Sequence, residues 1–313
     1  MTNSRHLLPM PAVLPSSRVS VLSPASFAKD DRMTLGMERL RALGFLPQAE
    51  THTQTRGPLY FAARPADRLD DLHAAFENSA VAWIVAVRGG YGSNYLLDGL
   101  DAEMLRRNPK PFFAYSDLTG VQLHLLDCIG LPAFHGPMVA ADFYLDDGVH
   151  LESFRAALAG VPYTVGAAEG LRTLKPGNAR GTLYGGCLSI IVALLGTRWE
   201  PHTEGTLLFL EDTGVKPYQI DRMLWQLRHA GKLNGVRGII FGEMLACATF
   251  GAEDPLPEVA ILHALDGLAI PIALGLRSGH VSRQNVTLTF GVEAELRAGT
   301  QAELHLLEPA VRA

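Results

Sequence analysis

Seven apolar residues in a row, Val81-Ala82-Trp83-Ile84-Val85-Ala86-Val87, run directly into Arg88-Gly89-Gly90-Tyr91-Gly92. A strand can be apolar at every position only if both its faces are covered, which is the situation inside a parallel sheet flanked by helices. The neighbouring segments supply those helices. Met33 to Leu43 has helical spacing, with Leu35, Met37, Leu40 and Leu43 available for one face and Gly44 to stop it. Asp67 to Ala80 offers Leu69, Leu72, Ala75 and Phe76, and Thr119 to Ile129 reads as a further helix. Between them Arg18 to Leu22 and Pro111 to Tyr115 read as strands. Strands alternating with helices predict a parallel α/β sheet with ligands at the carboxyl ends of its strands.

A chain of 313 residues is too long for one typical core, so two domains are expected. Between Ala159 and Gly181 the pattern lapses, punctuated by Pro162, Gly166, Gly170, Pro176 and Gly177. The expected division is therefore an N-terminal domain over 1–160, a linker over 161–180 and a C-terminal domain over 181–313. In the latter, Thr206 to Leu210 reads as a buried strand. Pro217 opens a helix with Ile220, Met223, Leu224 and Leu227 on its apolar face, and Gly231 closes it. Val236 to Phe241 and Val286 to Phe290 are strand-like.

Composition narrows the function classes. A net charge of -5 and the lack of a basic block leave nucleic-acid binding without an electrostatic footprint. No apolar run approaches the roughly 18 residues a bilayer span requires. The proline-broken N-terminus has no secretory h-region. Cys128, Cys187 and Cys247 form no C-x-x-C pair and read as reduced thiols. The expectation is a cytoplasmic protein with neither a membrane nor a nucleic acid as partner, and without a cofactor.

Three apolar runs end on a reactive side chain. Phe112-Phe113-Ala114-Tyr115 ends at Ser116, where a strand-to-helix turn would expose the hydroxyl and aim the Asp117 backbone N–H at an attacked carbonyl. The bland alternative is an N-cap serine, and G-x-S-x-G is not met because Leu118 stands two residues after. Leu207 to Leu210 ends at Glu211, a charge that is costly at the mouth of a buried strand unless it has a partner. Asp212 competes for the same role. His280 follows Gly279 between apolar segments; it is one of 11 histidines. A serine, a carboxylate and an imidazole are the parts of a nucleophilic hydrolase. The glycines after Arg88 would let backbone N–H groups approach an oxyanion or a phosphate. Ser26-Phe27-Ala28-Lys29 matches S-x-x-K, but neither S-D-N nor K-T-G follows it, and H-E-x-x-H is absent. The pairs His124/Asp127 and His263/Asp266 stand isolated.

Taken in order, Arg88 to Gly92, Tyr115-Ser116-Asp117-Leu118-Thr119, His135-Gly136-Pro137-Met138, Gly185-Gly186, Phe209-Leu210-Glu211-Asp212 and Gly279-His280 resemble segments of the LD-carboxypeptidases, or murein tetrapeptide carboxypeptidases. The resemblance runs from about Val19 to Gly291. It implies a Rossmann- or flavodoxin-like N-terminal domain and a smaller C-terminal α+β domain with a swivelling-type β core. It also implies Ser116 as nucleophile, His280 as general base, Glu211 as the orienting acid, and the N–H groups of Gly90 and Asp117 as the oxyanion hole, with the site at the domain interface and no metal. The implied activity is hydrolysis of the amide between an L-centre and a terminal D-amino acid, on a small murein peptide in cell-wall recycling, by an enzyme that forms a homodimer. Two other readings stand beside it: a microcin C-type immunity peptidase acting on peptidyl- or aminoacyl-nucleotide amides, and a non-catalytic α/β ligand-binding module. The sequence departs from the family pattern at Cys187, Val281, Thr289 and Ala114.

Overall fold

A computed structural model describes residues 7–248 and 256–312, which form two compact units. The first contains residues 7–161, Arg283–Gly291 and 309–312; the second contains the described residues of Pro162–Ser282 and Val292–Glu308. The first unit runs β1 (Met10–Pro11), β2 (Arg18–Leu22), α1 (Asp30–Ala42), β3 (Leu46–Ala49), α2 (Pro65–Glu77), β4 (Val81–Ala86), α3 (Ala102–Arg107), β5 (Phe112–Ala114), α4 (Thr119–His124), β6 (Ala133–His135) and α5 (Leu151–Ala159). The second carries β7 (Tyr163–Val165), β8 (Arg172–Lys175), β9 (Gly177–Cys187), α6 (Leu188–Ala193), β10 (Thr206–Glu211), α7 (Pro217–His229), β11 (Gly238–Gly242), α8 (Pro257–Ala264) and β12 (Ile272–Leu276). The chain then gives β13 (Leu288–Phe290) to the first unit, β14 (Glu293–Ala298) and β15 (Ala302–Leu306) to the second, and β16 (Val311–Arg312) to the first.

The first unit's main sheet has the order β13-β6-β5-β4-β2-β3, parallel from β6 to β3. The all-apolar run expected to be a doubly covered strand is β4, near its centre. Trp83 is buried there, edge-on to Phe45 at 5.1 Å and to Phe113 at 5.2 Å, and Phe113 stacks on Phe134 at 4.8 Å. This aromatic stack ties neighbouring strands into one core.

Two helix faces differ from expectation. α1 buries Met33, Gly36 and Leu40, while Leu35 is exposed. The cause is Gly36, whose missing side chain lets the helix backbone sit against Val139: a Cβ there would lie 2.1 Å from the Val139 carbonyl oxygen. α2 buries Arg68 and Asp71 with Leu72, Ala75 and Phe76, and Leu69 is only half-buried. Beyond α4 the expected helix continues as a wider π turn over Leu125–Ile129, closed by left-handed Gly130.

The second unit is an eight-stranded sheet, β7-β15-β14-β9-β10-β11-β12-β8, with β9 to β12 parallel and the strands on either side antiparallel. Residues 161–180, expected as a linker, hold β7, β8 and the start of β9 instead. The prolines and glycines there separate short strands: Pro162 precedes β7, Gly166 and Gly170 bracket a tight turn, and Pro176 lies between β8 and β9. The C-terminal boundary also differs, because β13 pairs antiparallel with β6 and covers an edge of the first sheet. In the second unit the carboxyl ends of the parallel strands align: Glu211 pairs with Cys187, and Gly242 with Leu276.

Gly36→Ala gains at most about 1 kcal/mol of helix propensity. Overlap with a backbone carbonyl costs about 1–3 kcal/mol, since the helix must move off its neighbour. The variant should therefore melt a few degrees below the wild type by calorimetry; a higher Tm would show that the contact is not limiting.

Candidate active site

Ser116 follows β5 with φ at 65°, left-handed backbone that a serine adopts only under constraint. Tyr115 before it is extended, so the turn from strand to helix is completed at Ser116 alone. Such an elbow lifts the hydroxyl off the end of the sheet, as a nucleophile requires. The conformation costs roughly 1–3 kcal/mol, and the surroundings hold it. Gln122 Nε2 donates to the Ala114 carbonyl at 3.0 Å and to the Phe134 carbonyl at 2.9 Å, locking the strand ends. The Asp117 carboxylate accepts the Ser93 N–H at 2.8 Å, and Ser93 Oγ donates to the Asp117 carbonyl at 2.6 Å. Burial pushes the Asp117 carboxyl above its usual range, and the hydrogen bonds from Ser93 oppose that shift.

The glycine loop after β4 lies against this turn. A Cβ on Gly89 would stand 2.9 Å from Ser116 Oγ and 3.4 Å from the Asp117 nitrogen. Gly90 has φ at 119°, and a Cβ there would meet Ser26 Oγ at 2.4 Å. The loop can thus press residue 89 against Ser116 and residue 90 against Ser26 only because neither carries a side chain. Ser26, the serine of the discarded S-x-x-K match, has a structural part: its Oγ accepts the Tyr91 N–H at 3.1 Å.

Arg68 was missed by the sequence reading. Its guanidinium is buried and donates to the carbonyls of Pro24 at 2.5 Å, Gly92 at 2.9 Å and Ala63 at 3.2 Å, tying three loops beside Ser116. Burial lowers its pKa, while the Asp117 carboxylate opposes the shift. The available signal was an arginine within the apolar spacing of α2, one position away from Leu69.

In the second unit the structure brings Glu211 and His280 together. Glu211 ends β10 with no exposed surface, and its Oε2 accepts His280 Nδ1–H at 2.7 Å and the His280 backbone N–H at 3.0 Å. An ionised carboxylate only accepts, so Nδ1 carries the proton and Nε2 is the basic nitrogen of the neutral ring. Two glycines make room: a Cβ on Gly242 would lie 2.6 Å from the Glu211 Cβ, and one on Gly279 would lie 2.5 Å from its Cδ. Asp212 turns elsewhere. Its carboxylate accepts the Ser189 N–H at 2.8 Å and its neighbour Thr213's N–H at 2.9 Å, so it caps the start of α6. Of the two adjacent acids, Glu211 is the partner of His280.

A model of the LD-carboxypeptidase N-terminal domain matches residues 19–136, and one of the C-terminal domain matches residues 180–296. The chain belongs to the LD-carboxypeptidase family. As a member it is a serine carboxypeptidase, a hydrolase of peptide bonds. The "Probable murein peptide carboxypeptidase" of Bacillus subtilis is 33% identical over 283 residues, covering 89% of this chain and 88% of the relative. Among solved structures, an MccF-like protein from Bacillus anthracis has a TM-score of 0.87 at 25% identity, covering 96% of this chain and 99% of that one. A muramoyltetrapeptide carboxypeptidase from Oxalobacter formigenes has a TM-score of 0.84 at 26% identity, covering 94% and 99%. The reading as a non-catalytic binding module is set aside by this membership. Among the described residues, no helix is long and apolar enough to cross a membrane.

Cys187, where the family pattern has asparagine, is buried at the end of β9, and burial beside Glu211 and Asp212 raises its thiol well above the usual range. Burial likewise pushes the Cys247 thiol up to about 11; partial burial and Asp127 raise the Cys128 thiol too, but that residue is exposed to reagent. Thiolates react and neutral buried thiols do not. A disulfide reagent at pH 8 should therefore titrate one fast thiol in the native protein and three after denaturation; two or more fast native thiols would contradict this burial pattern.

Proposed function

We propose that this LD-carboxypeptidase releases the terminal D-amino acid from murein tetrapeptide, with Ser116 as nucleophile, His280 as base and Glu211 as its orienting acid. The observation that carries the roles is the left-handed Ser116, a strained serine held at the end of β5 with a glycine loop against it. The B. subtilis relative and the O. formigenes structure, both named for murein or muramoyl peptides, support the substrate.

The chemistry follows from the parts. His280 Nε2 takes the Ser116 proton as Oγ attacks the carbonyl of the L-centre. The N–H groups of Gly90 and Asp117 receive the charge that develops on the carbonyl oxygen. The imidazolium, stabilised by Glu211 through Nδ1–H, gives its proton to the leaving amine as the C–N bond breaks. Water, deprotonated by the same nitrogen, then attacks the acyl-serine and releases the shortened peptide. The reading places the reaction in the cytoplasm, where a wall peptide would be recycled, and takes the enzyme to work as a homodimer.

A microcin C-type immunity peptidase is the second reading, supported by the MccF-like neighbour. Offering the purified enzyme murein tetrapeptide and an aminoacyl sulfamoyl adenylate side by side separates the two. Release of D-alanine is the expected outcome; turnover of the nucleotide amide alone would decide for the second reading. EDTA should leave the rate unchanged.

Glu211→Gln should lower kcat by roughly 10³- to 10⁴-fold, because the amide favours the wrong imidazole tautomer. Ser116→Ala should abolish turnover. Ser116→Gly should do the same yet be as stable as Ser116→Ala or up to about 1 kcal/mol more stable, since glycine accepts the left-handed backbone without strain. Denaturant melts check the second point, and a glycine variant clearly less stable than the alanine one would refute the strain.

A further inference from the structure

A cavity of about 270 Å³ in the first unit is lined by Ala28, Lys29, Arg32, Arg88, Ala140 and Ala141. Three of its six lining residues are cations and none is an acid. Among the described residues, Lys29, Arg32 and Arg88 make no ion pair with a carboxylate. Arg32 lies over the Tyr144 ring at 4.6 Å, and Lys29, the residue before α1, makes no side-chain cap to that helix. Asp30 and Asp31 follow Lys29 in the first turn of α1 but do not line the cavity. Three like charges around one hollow raise its potential and favour an anion there.

The cavity's place in the fold ties it to the reaction. Arg88 stands between the end of β4 and Gly89, the residue packed on Ser116 Oγ. The Ala140 N–H donates to the Val87 carbonyl at 2.8 Å, so the cavity's alanine wall is fastened to the same strand end. Asp142, near that wall, is already engaged, accepting the Met138 N–H at 2.8 Å and Asn285 Nδ2–H at 3.1 Å. Arg88 is thus the chain neighbour of the residue that packs on Ser116 Oγ. In a carboxypeptidase substrate the anionic group next to the attacked amide is the C-terminal carboxylate of the departing residue.

We propose that this cavity is the subsite for the peptide's terminal carboxylate, with Arg88 as its principal donor and Arg32 and Lys29 adding positive potential. The proposal rests on the carboxypeptidase reading of Ser116 and names the residues that would make the enzyme act only at a chain end. Arginine suits the task, because its planar fork meets a carboxylate with two hydrogen bonds. All three cations are exposed, so replacing them should leave the fold intact.

The test uses the full-length Ser116→Ala protein, which binds without turnover, titrated calorimetrically with murein tetrapeptide and with its C-terminal carboxamide. The free carboxylate should bind about 10- to 100-fold tighter than the amide, the range of a hydrogen bond to a charged group. Adding Arg88→Gln should remove most of that preference while leaving carboxamide binding within about twofold, and Arg32→Gln or Lys29→Gln should each remove part of it. Thermal melts check that each variant stays folded. Equal binding of the two peptides, full preference retained without Arg88, or no binding of either peptide would overturn the subsite. Wild-type turnover is scored separately: turnover without a carboxylate preference sinks the subsite alone, and a preference without turnover sinks the proposed reaction alone.

Discussion

A carboxylate with no exposed surface is tolerable only where donors meet it, and much of the second unit's centre is arranged around that condition at Glu211. Removing an ionised group from water costs several kcal/mol unless it is hydrogen-bonded. Two donors of one residue, the ring Nδ1–H and the backbone N–H of His280, close on a single carboxylate oxygen at 2.7 and 3.0 Å. Neither could approach so near if residue 279 carried a side chain, and β11 could not pass so close if residue 242 did. The pairing that relieves a buried charge also fixes which ring nitrogen is basic. Stability and chemical readiness have one cause here.

The first unit solves a different problem. A serine in left-handed backbone is uphill by itself, so neighbouring groups must make every other conformation worse. Gln122 holds the ends of β5 and β6, Ser93 grips both the carboxylate and the carbonyl of Asp117, and Arg68 binds three loop carbonyls from within the core. A buried arginine in such a place is a tie. Its charge is opposed by the carboxylate of Asp117, whose own carboxyl is raised by the same burial. The departure at Cys187 fits the other half. A neutral thiol opposite Glu211 adds no second negative charge beside the buried carboxylate, and its S–H is only a weak donor.

Both halves sit at the carboxyl ends of parallel strands, for the reason that governs all such sheets. Strand interiors are covered on both faces, and polar groups emerge only where the chain leaves the sheet. Ser116 follows β5, the glycine loop follows β4, Glu211 ends β10 and His280 follows β12. The basic cavity obeys the same rule, with Arg88 at the end of β4 and its alanine wall fastened to that strand.

Read by itself, the sequence determined the strands and the residue types at their ends. A run such as Val81–Val87 can only be a doubly covered strand, and reactive residues that terminate apolar runs stand out without a structure. It also carried the family pattern, because motif order survives in one dimension. It did not determine which faces of helices are buried: Leu35 looked like core and Gly36 is the contact, while Arg68, outside the expected apolar face of α2, is buried. It could not show that 161–180 builds strands, since prolines and glycines punctuate short strands and linkers alike. Nor could it choose between Glu211 and Asp212, which differ by one position along the chain but point in opposite directions at a strand's end. Those choices belong to the tertiary structure, because burial, pairing and strain depend on atoms that are neighbours in space and far apart in sequence.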